Sequence, residues 1–361
     1  MSDIREVALP TYRVTIGAGV LDRIGNIVRD VAPAHRYAII TDTNVGPAHA
    51  SRVVHALHTN DDAVLTIPAG ETHKTRDTWA ALTDDLLSAG YGRDTTVIAL
   101  GGGVVGDVAG FVASTFMRGV PYVQVPTSLL AMIDASVGGK TGVDTPVGKN
   151  LVGAFHQPAA VVADIGLLTT LPFEHLRAGM AEAIKHGVIA DGAYFAAVES
   201  LGANLHSLDV HSAAMLDLVT RSVEIKAAVV SRDEREGGIR KTLNFGHTIG
   251  HAIELCSDFE LLHGYAVAIG MVYESMLAER LGLARSDTTE RVRSAVRATG
   301  LPDVRPHAMP IDAVIEATRS DKKARAGHAE FALPARIGAM AAAERGWSIP
   351  VSEDLVREIL A

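Results

Sequence analysis

The run Thr95–Asp107, TTVIALGGGVVGD, decides the fold, because a buried strand passes directly into a glycine-rich turn. The β-branched, apolar residues of Thr95–Leu100 are typical of a strand covered on both faces. Gly101, Gly103 and Gly106 then reproduce the Gly-x-Gly-x-x-Gly spacing at the entry to a helix. Glycines let the backbone approach a pyrophosphate, and the helix N-terminus favours its negative charge. The run predicts a nucleotide-binding α/β unit; a tight glycine turn without a ligand is the alternative.

The sequence on both sides of this run alternates short β-branched runs with helical patterns, as βαβ units do. Three further strands are predicted at Tyr37–Thr41, Ala63–Ile67 and Tyr122–Val125, and an amphipathic helix at Asp77–Gly90. The glycine turn therefore follows the third predicted strand. It departs from the standard dinucleotide fingerprint, in which the turn follows the first strand.

Helical patterns take over beyond a boundary that we place near Thr170–Glu174. Five long ones follow, at Glu174–Ala190, Ala213–Asp233, Thr248–Cys256, Ala266–Leu281 and Asp287–Thr299. We expect an α/β nucleotide-binding (Rossmann-like) domain over residues 1–172 and an all-α domain over residues 173–361. The working cleft is expected between them, where ligand sites are commonly found.

Composition limits the classes of protein that the chain can be. Its 361 residues suffice for about two domains. Hydrophobic residues make up 48% of the chain, yet no apolar run approaches the roughly 18 to 20 residues that a membrane helix needs. The start, MSDIREVALP, lacks the regions of a signal peptide, and the lone Cys256 fits a reducing cytoplasm. A net charge of −9 argues against general affinity for nucleic acid. We expect a cytoplasmic protein without a membrane or nucleic-acid partner.

A second stretch, Arg240–Glu254 (RKTLNFGHTIGHAIE), concentrates reactive side chains. On a helix His247 and His251 are four residues apart and point the same way, with Glu254 further along that face. Such a pair can share a metal, or one histidine can bind metal while the other handles protons. The alternative is a pair of histidines with no ligand at a helix start.

Two residues outside this stretch enlarge the candidate metal site. Glu182 lies in an apolar helical pattern, and His263 precedes another helix. Together with His247 they offer an oxygen and two nitrogens with an open position, as in catalytic zinc sites. The residues alone do not choose between this set and one that includes His186 or His251.

Cations and amides are placed where an anionic substrate could bind. Lys185, three residues after Glu182, and Lys226 lie in apolar helical patterns, where a buried charge needs a partner. Arg240 and Asn244 precede the paired histidines. Lys140, Lys149 and Asn150 are expected on glycine-rich loops suited to phosphate or carboxylate. GGKTG (138–142) is not a P-loop, because Asp134 occupies the first glycine position of that motif.

These motifs together resemble the 3-dehydroquinate synthase family over nearly the whole chain. The matching strings, in order, are GETHK (70–74), GGGVVGDVAGF (101–111), MRGVPYVQVPTSLLAMIDASVGGKTG (117–142), GKNLVGAFHQP (148–158), GMAEAIKHG (179–187), DEREGGIRKTLNFGHTIGHAIE (233–254), HGYAVAIGM (263–271) and DKK (321–323). So many motifs in one order are more specific than any single one.

The resemblance implies a lyase of the shikimate pathway of aromatic amino acid biosynthesis, which works as a homodimer with NAD and zinc or cobalt. It would convert 3-deoxy-D-arabino-heptulosonate 7-phosphate to 3-dehydroquinate and phosphate. The steps are a transient oxidation, phosphate elimination, reduction, ring opening and aldol closure, without net redox change. Alternatives are a sibling cyclase of amino-dehydroquinate or valiolone type, a metal-dependent polyol or glycerol-phosphate dehydrogenase, and a non-catalytic NAD sensor.

The resemblance also assigns site residues. The metal falls to Glu182, His247 and His263. NAD contacts fall to Asp42, Asn44, Glu71, Lys74, Gly103, Val104, Val105, Gly106, Asp107, Thr127, Ser128, Asp134, Lys140, Lys149, Leu167, Leu168, Thr169 and Thr170. Substrate contacts fall to Lys140, Asn150, Lys185, Lys226, Arg240, Asn244, His251 and one of Lys322 or Lys323, while Arg118 matches an arginine that reaches the partner subunit's site. The sequence departs from the family pattern at Asp144, Thr145 and Tyr265.

Overall fold

A computed structural model of the chain describes residues 3–319 and 329–361. The chain divides into two compact units. Unit 1 comprises Met1–Pro172 and Val210–Val223, and unit 2 comprises Phe173–Asp209 and Glu224–Ala361. The assignment of 210–223 to unit 1 was not anticipated from the sequence. The predicted domain limits, 1–172 and 173–361, stay a prediction, and Lys322 and Lys323 lie outside the described residues.

Unit 1 is built on a seven-stranded sheet. Nine strands are described in unit 1, seven in this sheet and two in a separate hairpin. They are β1 (Ile4–Ala8), β2 (Arg13–Gly17), β3 (Arg36–Asp42), β4 (Val64–Ile67), β5 (Thr95–Gly101), β6 (Tyr122–Pro126), β7 (Lys140–Thr145), β8 (Gly148–Phe155) and β9 (Ala160–Asp164). The sheet order is β1-β2-β9-β6-β5-β3-β4, parallel except for the β1–β2 pair. The four strands predicted from the sequence are confirmed as β3 to β6.

Four helices belong to the first 172 residues: α1 (Ile24–Val31), α2 (Gly46–Leu57), α3 (Arg76–Ser88) and α4 (Gly103–Thr115). Every residue of β5 is buried, as expected for a central parallel strand. Val97 of β5, Ile40 of β3 and Val108 and Val112 of α4 share one hydrophobic core. This packing fixes α4 directly behind the end of β5.

The strand order reverses direction between β3 and β5. From β3 the chain moves outward to β4, whereas from β5 it moves to β6 on the other side. In open α/β sheets, ligands bind at the carboxyl ends of the strands that flank such a switch point. Those ends are Asp42 on β3 and Gly101 on β5. The topology therefore points to the same glycine turn as the sequence.

The hairpin formed by β7 and β8 lies outside the main sheet. Lys140 opens β7, and Lys149 and Asn150 lie in β8. The prediction that these residues sit in loops is therefore wrong. Gly142 and Gly153 are paired across the ladder, and a Cβ on Gly153 would lie 2.9 Å from the Gly142 Cα. These glycines permit a close approach of two strands.

The second half of the chain is mainly helical, as predicted. Its helices are α5 (Phe173–Ala190), α6 (Gly192–Gly202), α7 (Ala213–Arg232), α8 (His247–Cys256), α9 (His263–Arg280), α10 (Thr288–Ala298), α11 (Ile311–Arg319) and α12 (Glu353–Leu360). Two short ladders accompany them and were missed: β10 (Glu330–Phe331) with β13 (Ile349–Pro350), and β11 (Pro334–Arg336) with β12 (Ala339–Met340). None of the described helices has the length and apolarity to cross a membrane.

Candidate nucleotide and metal sites

The glycine turn after β5 contains glycines of two kinds. A Cβ on Gly106 would lie 2.7 Å from Oε1 of the buried Gln124, so this glycine permits close packing of helix on strand. The nearest described atom to a Cβ on Gly102 would be 3.7 Å away, and to one on Gly103 3.4 Å away. A side chain at either position would therefore make only ordinary contacts, so close packing does not explain these two glycines; they stand at the start of α4, where backbone N–H groups and the helix dipole favour an anion.

A buried lysine lies beside this turn. Lys74 is 4% exposed, and its Nζ donates to Asp107 Oδ2 at 2.5 Å and to Asn150 Oδ1 at 2.6 Å. Burial alone would lower the pKa of Lys74, but the carboxylates of Asp107, Glu71 and Asp144 raise it well above its usual value. Lys74 is thus held as a cation within an acidic cluster.

A second cation joins the same cluster. Lys149 Nζ pairs with Glu71 Oε1 at 3.0 Å, and the carboxylate of Asp144 accepts a bond from the Asn150 backbone N–H at 2.8 Å. Burial raises the pKa of Asp144 above its usual value, against the opposing effect of Lys74. Asp144 is one of the departures from the family pattern. It stabilises the β7–β8 hairpin and belongs to the same charged cluster as Lys74.

The other residues predicted to bind nucleotide lie at the ends of strands and in the turns that follow them. Asp42 Oδ1 accepts from the backbone N–H groups of Asn44 at 2.8 Å and Val45 at 2.9 Å, which shapes the turn after β3. The remainder are Gly103, Val104, Val105, Gly106 and Asp107 in the first turns of α4, Thr127 and Ser128 after β6, Asp134 in the π-helical turn Ala131–Ala135, Lys140 at the start of β7, and Leu167, Leu168, Thr169 and Thr170 in the 3-10 helix Ile165–Thr170.

The predicted metal ligands converge in unit 2. Glu182 is fully buried on α5, while His247 and His263 are the first residues of α8 and α9. Glu182 Oε1 lies 3.5 Å from His247 Nε2 and 3.6 Å from His263 Nε2. One carboxylate oxygen and two imidazole nitrogens that face each other are the donor set of catalytic zinc sites, so these residues fit a divalent metal.

Hydrogen bonds orient both imidazoles toward Glu182. His247 Nδ1 lies 3.0 Å from the Phe245 carbonyl oxygen, and a carbonyl can only accept. His263 Nδ1 lies 3.3 Å from Glu254 Oε2. In the neutral form of each ring, the contact places the proton on Nδ1 and leaves the Nε2 lone pair for a metal, as in many carboxylate–histidine–zinc arrangements. Glu254 thus has a role that the sequence suggested only by its position on the helix face.

The two histidines differ in their electrostatics. Burial, followed by the positive charge of Lys185, lowers the pKa of His247 well below its usual value. Burial would also lower the pKa of His263, but Glu254 and Glu182 raise it to about 10. The neutral His247 is ready to act as a ligand, whereas His263 would give up a proton when a metal binds.

His251 is the alternative ligand left open by the sequence. Nitrogen atoms of His247, His251 and His263 lie within 4.8 Å of one another. The ring centroid of His251 is 5.2 Å from that of His247 and 5.8 Å from that of His263. His251 therefore borders the candidate metal position, and the choice of Glu182, His247 and His263 stays a prediction. His186, the other alternative, is buried on α5.

Three cations predicted to bind substrate are buried in unit 2. Lys185 is 1% exposed and pairs closely with Glu182 Oε2, Lys226 on α7 is 7% exposed, and Arg240 is 2% exposed. The Arg240 guanidinium donates to the Glu234 carbonyl oxygen, and its backbone N–H donates to Asp233 Oδ2 at 3.0 Å. The Arg240 side chain is therefore held in a buried position and not in an exposed salt bridge.

Glu236, which the sequence did not single out, contacts Asn244, one of the residues predicted to bind substrate. Its Oε1 accepts from Asn244 Nδ2 at 2.6 Å, and its backbone is left-handed, with φ of +61°. A non-glycine residue with positive φ is uncommon and often marks a functional turn. Its position in DEREGGIRK carried no separate signal. Arg118, predicted to act on a partner subunit, is exposed, with φ of +71°.

Comparisons with known proteins agree across the whole chain. A family model described as 3-dehydroquinate synthase N-terminal matches residues 64–178, and one described as 3-dehydroquinate synthase C-terminal matches residues 179–324. A curated relative, the 3-dehydroquinate synthase of Nostoc punctiforme, is 41% identical over 366 residues, which cover 100% of this chain and 99% of that protein.

Two solved structures are similar in fold over their full lengths. A 2-deoxy-scyllo-inosose synthase complexed with carbaglucose-6-phosphate, NAD+ and Co2+ matches with a TM-score of 0.87 and 26% identity, covering 99% of each chain. A 2-epi-5-epi-valiolone synthase from Streptomyces hygroscopicus with NAD+ and Zn2+ bound matches with a TM-score of 0.86 and 30% identity, covering 100% of this chain and 98% of that one.

Proposed function

Because the chain belongs to the 3-dehydroquinate synthase family, we propose that it converts 3-deoxy-D-arabino-heptulosonate 7-phosphate to 3-dehydroquinate and phosphate. The observation that carries the proposal is the convergence of Glu182, His247 and His263 beside buried cations, in a chain that also holds a nucleotide-type glycine turn. This combination matches the demands of a phosphate elimination that needs a temporary oxidation.

NAD and a divalent metal, zinc or cobalt, are the proposed cofactors, as in the two similar solved structures. When bound, NAD supplies a reversible hydride acceptor and the metal a Lewis acid for a hydroxyl oxygen. Glu182, His247 and His263 would hold the metal, with Phe245 and Glu254 fixing the two imidazole rings. In unit 1, Gly102 and Gly103 carry no side chain at the start of α4, which would let backbone N–H groups approach a pyrophosphate.

The buried cations of unit 2 define the kind of substrate. Lys226 and Arg240 are nearly inaccessible to solvent in a chain with a net charge of −9. Buried cations form strong charge-assisted hydrogen bonds with phosphate and carboxylate groups, so they suit an anionic ligand. Lys185 is held against Glu182, beside the metal ligands. These residues orient and neutralise an acid phosphate, which favours it over a neutral sugar.

The sibling cyclases remain the nearest alternative. The two similar structures of that kind are 26% and 30% identical to this chain, whereas the Nostoc 3-dehydroquinate synthase is 41% identical. The relatives therefore support the 3-dehydroquinate synthase reaction over the alternatives. A homodimer, with Arg118 directed to the partner subunit, and a cytoplasmic location complete the proposal, supported by the family resemblance and the lone Cys256.

A direct assay tests the function. Purified protein loaded with zinc or cobalt and NAD is given the heptulosonate phosphate, and phosphate release, product formation and absorbance of NADH are recorded together. The proposal predicts one phosphate for each dehydroquinate and no accumulation of NADH. Release of phosphate only from sugar phosphates that lack the carboxylate would favour a sibling cyclase, and NADH formed in proportion to product would favour a dehydrogenase.

A further inference from the structure

Glu274 is a completely buried acid to which the proposed chemistry gives no task. It lies on α9, the helix that begins at the predicted metal ligand His263, within a mostly apolar segment (GMVYESML). A buried carboxylate is costly unless hydrogen bonds stabilise its charge, so its position requires an explanation.

Both oxygens of Glu274 bond to the first turn of α8. Oε2 accepts from the Gly246 backbone N–H at 2.7 Å, and Oε1 accepts from the Ile249 N–H at 3.0 Å. The first N–H groups of a helix have no partner within it, and a negative charge is favoured there. Gly246, at the N-cap position, has no side chain to supply the cap. Glu274 therefore caps α8 from a neighbouring helix.

The capped turn is the one that aims His247. Gly246 has φ of +80°, and a Cβ on it would lie 2.4 Å from Met271 Cγ, so only glycine fits between α8 and α9 at this point. His247 follows directly, and its Nδ1 bonds back to the Phe245 carbonyl. The Gly246–Glu274 bond thus holds the peptide from which the metal-facing imidazole projects.

We propose that Glu274 is a positioning residue for the metal centre: it fixes the start of α8 on α9 so that His247 and His263 keep a constant separation. A second contact joins the same two helices with the roles exchanged: Glu254 of α8 contacts His263, the first residue of α9. The two buried glutamates therefore link each helix to the metal-binding end of the other. This inference rests on the proposed metal site, which it deepens.

Glu279 provides a matched control on the same helix. Its Oε1 accepts from the Thr289 backbone N–H at 2.7 Å, in the first turn of α10, away from the candidate metal ligands. Glu279→Gln removes the same negative charge from a helix N-terminus without touching α8. It should lower the melting temperature but leave metal binding unchanged.

The test measures the zinc dissociation constant by chelator competition, and the visible absorption spectrum of cobalt-loaded protein. Glu274→Gln should weaken zinc binding about 10- to 100-fold, as losses of outer-shell partners do, and alter the cobalt spectrum. Glu274→Asp, which keeps the charge, should recover part of the affinity. Wild-type affinity and spectrum in Glu274→Gln would overturn the inference, as would an equal loss of affinity in Glu279→Gln.

Two further outcomes are informative. If Glu274→Gln does not fold, the zinc dissociation constant of Glu274→Asp is measured instead. A wild-type zinc affinity in Glu274→Asp would then overturn the inference. If the wild-type protein itself binds no zinc or cobalt, the proposed metal site fails, which is distinct from a site that binds metal normally without Glu274.

Discussion

At the scale of single residues, the choice of metal ligands can be tested by substitution. Glu182→Ala, His247→Ala and His263→Ala should each remove stoichiometric zinc from the purified protein, because Glu182 Oε1 faces both imidazole Nε2 atoms. His251→Ala is the control: it should keep its zinc and lose activity, since His251 is assigned to substrate. Elemental analysis of the four proteins measures this. Near-stoichiometric zinc in any of the first three removes that residue from the ligand set.

The buried cations support a second prediction at this scale. A charge-assisted bond to a desolvated anion is worth about 1.5 to 3 kcal/mol, so Arg240→Met and Lys226→Met should lower kcat/KM roughly ten- to a hundredfold. Their melting temperatures should change little, because removing a buried charge that serves a ligand can leave the fold intact.

Lys241→Met is the matched control for Arg240→Met. Lys241 is the next residue, and its Nζ contacts Glu330 at 3.7 Å and Ser348 at 3.3 Å rather than a predicted substrate position. This variant should keep wild-type activity. Melting temperatures that fall together with activity in the Arg240 and Lys226 variants would show that these cations are structural, and the substrate assignment would be withdrawn.

The sequence patterns identified reactive side chains, but they did not show which of these side chains meet in space. Spacing on one helix favoured His247 with His251, and only the family resemblance selected His263 and Glu182. His247 and His263 begin different helices, so their meeting depends on how α8 packs on α9, which residue spacing does not report. Glu274 was missed for the same reason, since its hydrogen bonds join residues from two helices.

At the scale of secondary-structure elements, the strands β3 to β6 could be predicted because their β-branched runs are short and mostly apolar. Two of them, β5 and β6, are buried throughout. The β7–β8 hairpin could not, because its sequence is rich in glycine and lysine. Gly142 and Gly153 meet across that ladder, so glycine there reports a close contact between strands and not a loop. The short ladders β10–β13 and β11–β12 have too few residues to show a period.

Two glycines of α4 allow a role in ligand binding to be distinguished by substitution from a role in packing. A Cβ on Gly103 would meet nothing closer than 3.4 Å, whereas one on Gly110 would lie 2.5 Å from Thr141 Cγ2. Gly103→Ala should therefore leave the melting temperature unchanged or slightly raised, and weaken NAD binding at least about tenfold, the equivalent of 1.4 kcal/mol. Gly110→Ala should instead lower stability by about 1 to 3 kcal/mol through overpacking.

Calorimetric titration with NAD and thermal unfolding distinguish these outcomes. Unchanged NAD affinity in Gly103→Ala would mean that the nucleotide does not approach the glycine turn. The turn would then be a packing feature only, which is the alternative that the sequence left open.

At the scale of the whole molecule, the proposed homodimer predicts complementation between inactive variants. Arg118 is exposed and assigned to the partner's site, whereas Lys226 is assigned to its own. Arg118→Ala and Lys226→Met should each be strongly impaired alone. When they are unfolded and refolded together, each heterodimer should contain one complete site and recover activity. Phosphate release by the mixture measures this, and a mixture no more active than its components would contradict a shared site.

The last prediction concerns how the complete enzyme uses NAD. Elimination of phosphate needs a ketone that acidifies the C–H bond next to it. Because the product carries no net oxidation, the same nucleotide must accept the hydride and return it within one turnover. Protein stripped of nucleotide should therefore be inactive, and sub-stoichiometric NAD should support many turnovers in the fraction of sites that hold it. The Gly103→Ala variant should need more NAD to reach the same rate, because its defect lies in nucleotide binding. Phosphate release at increasing NAD, with NADH absorbance recorded throughout, measures each point. NADH that rises in step with phosphate would show that the hydride is not returned, and the chain would then be a dehydrogenase built on the same fold.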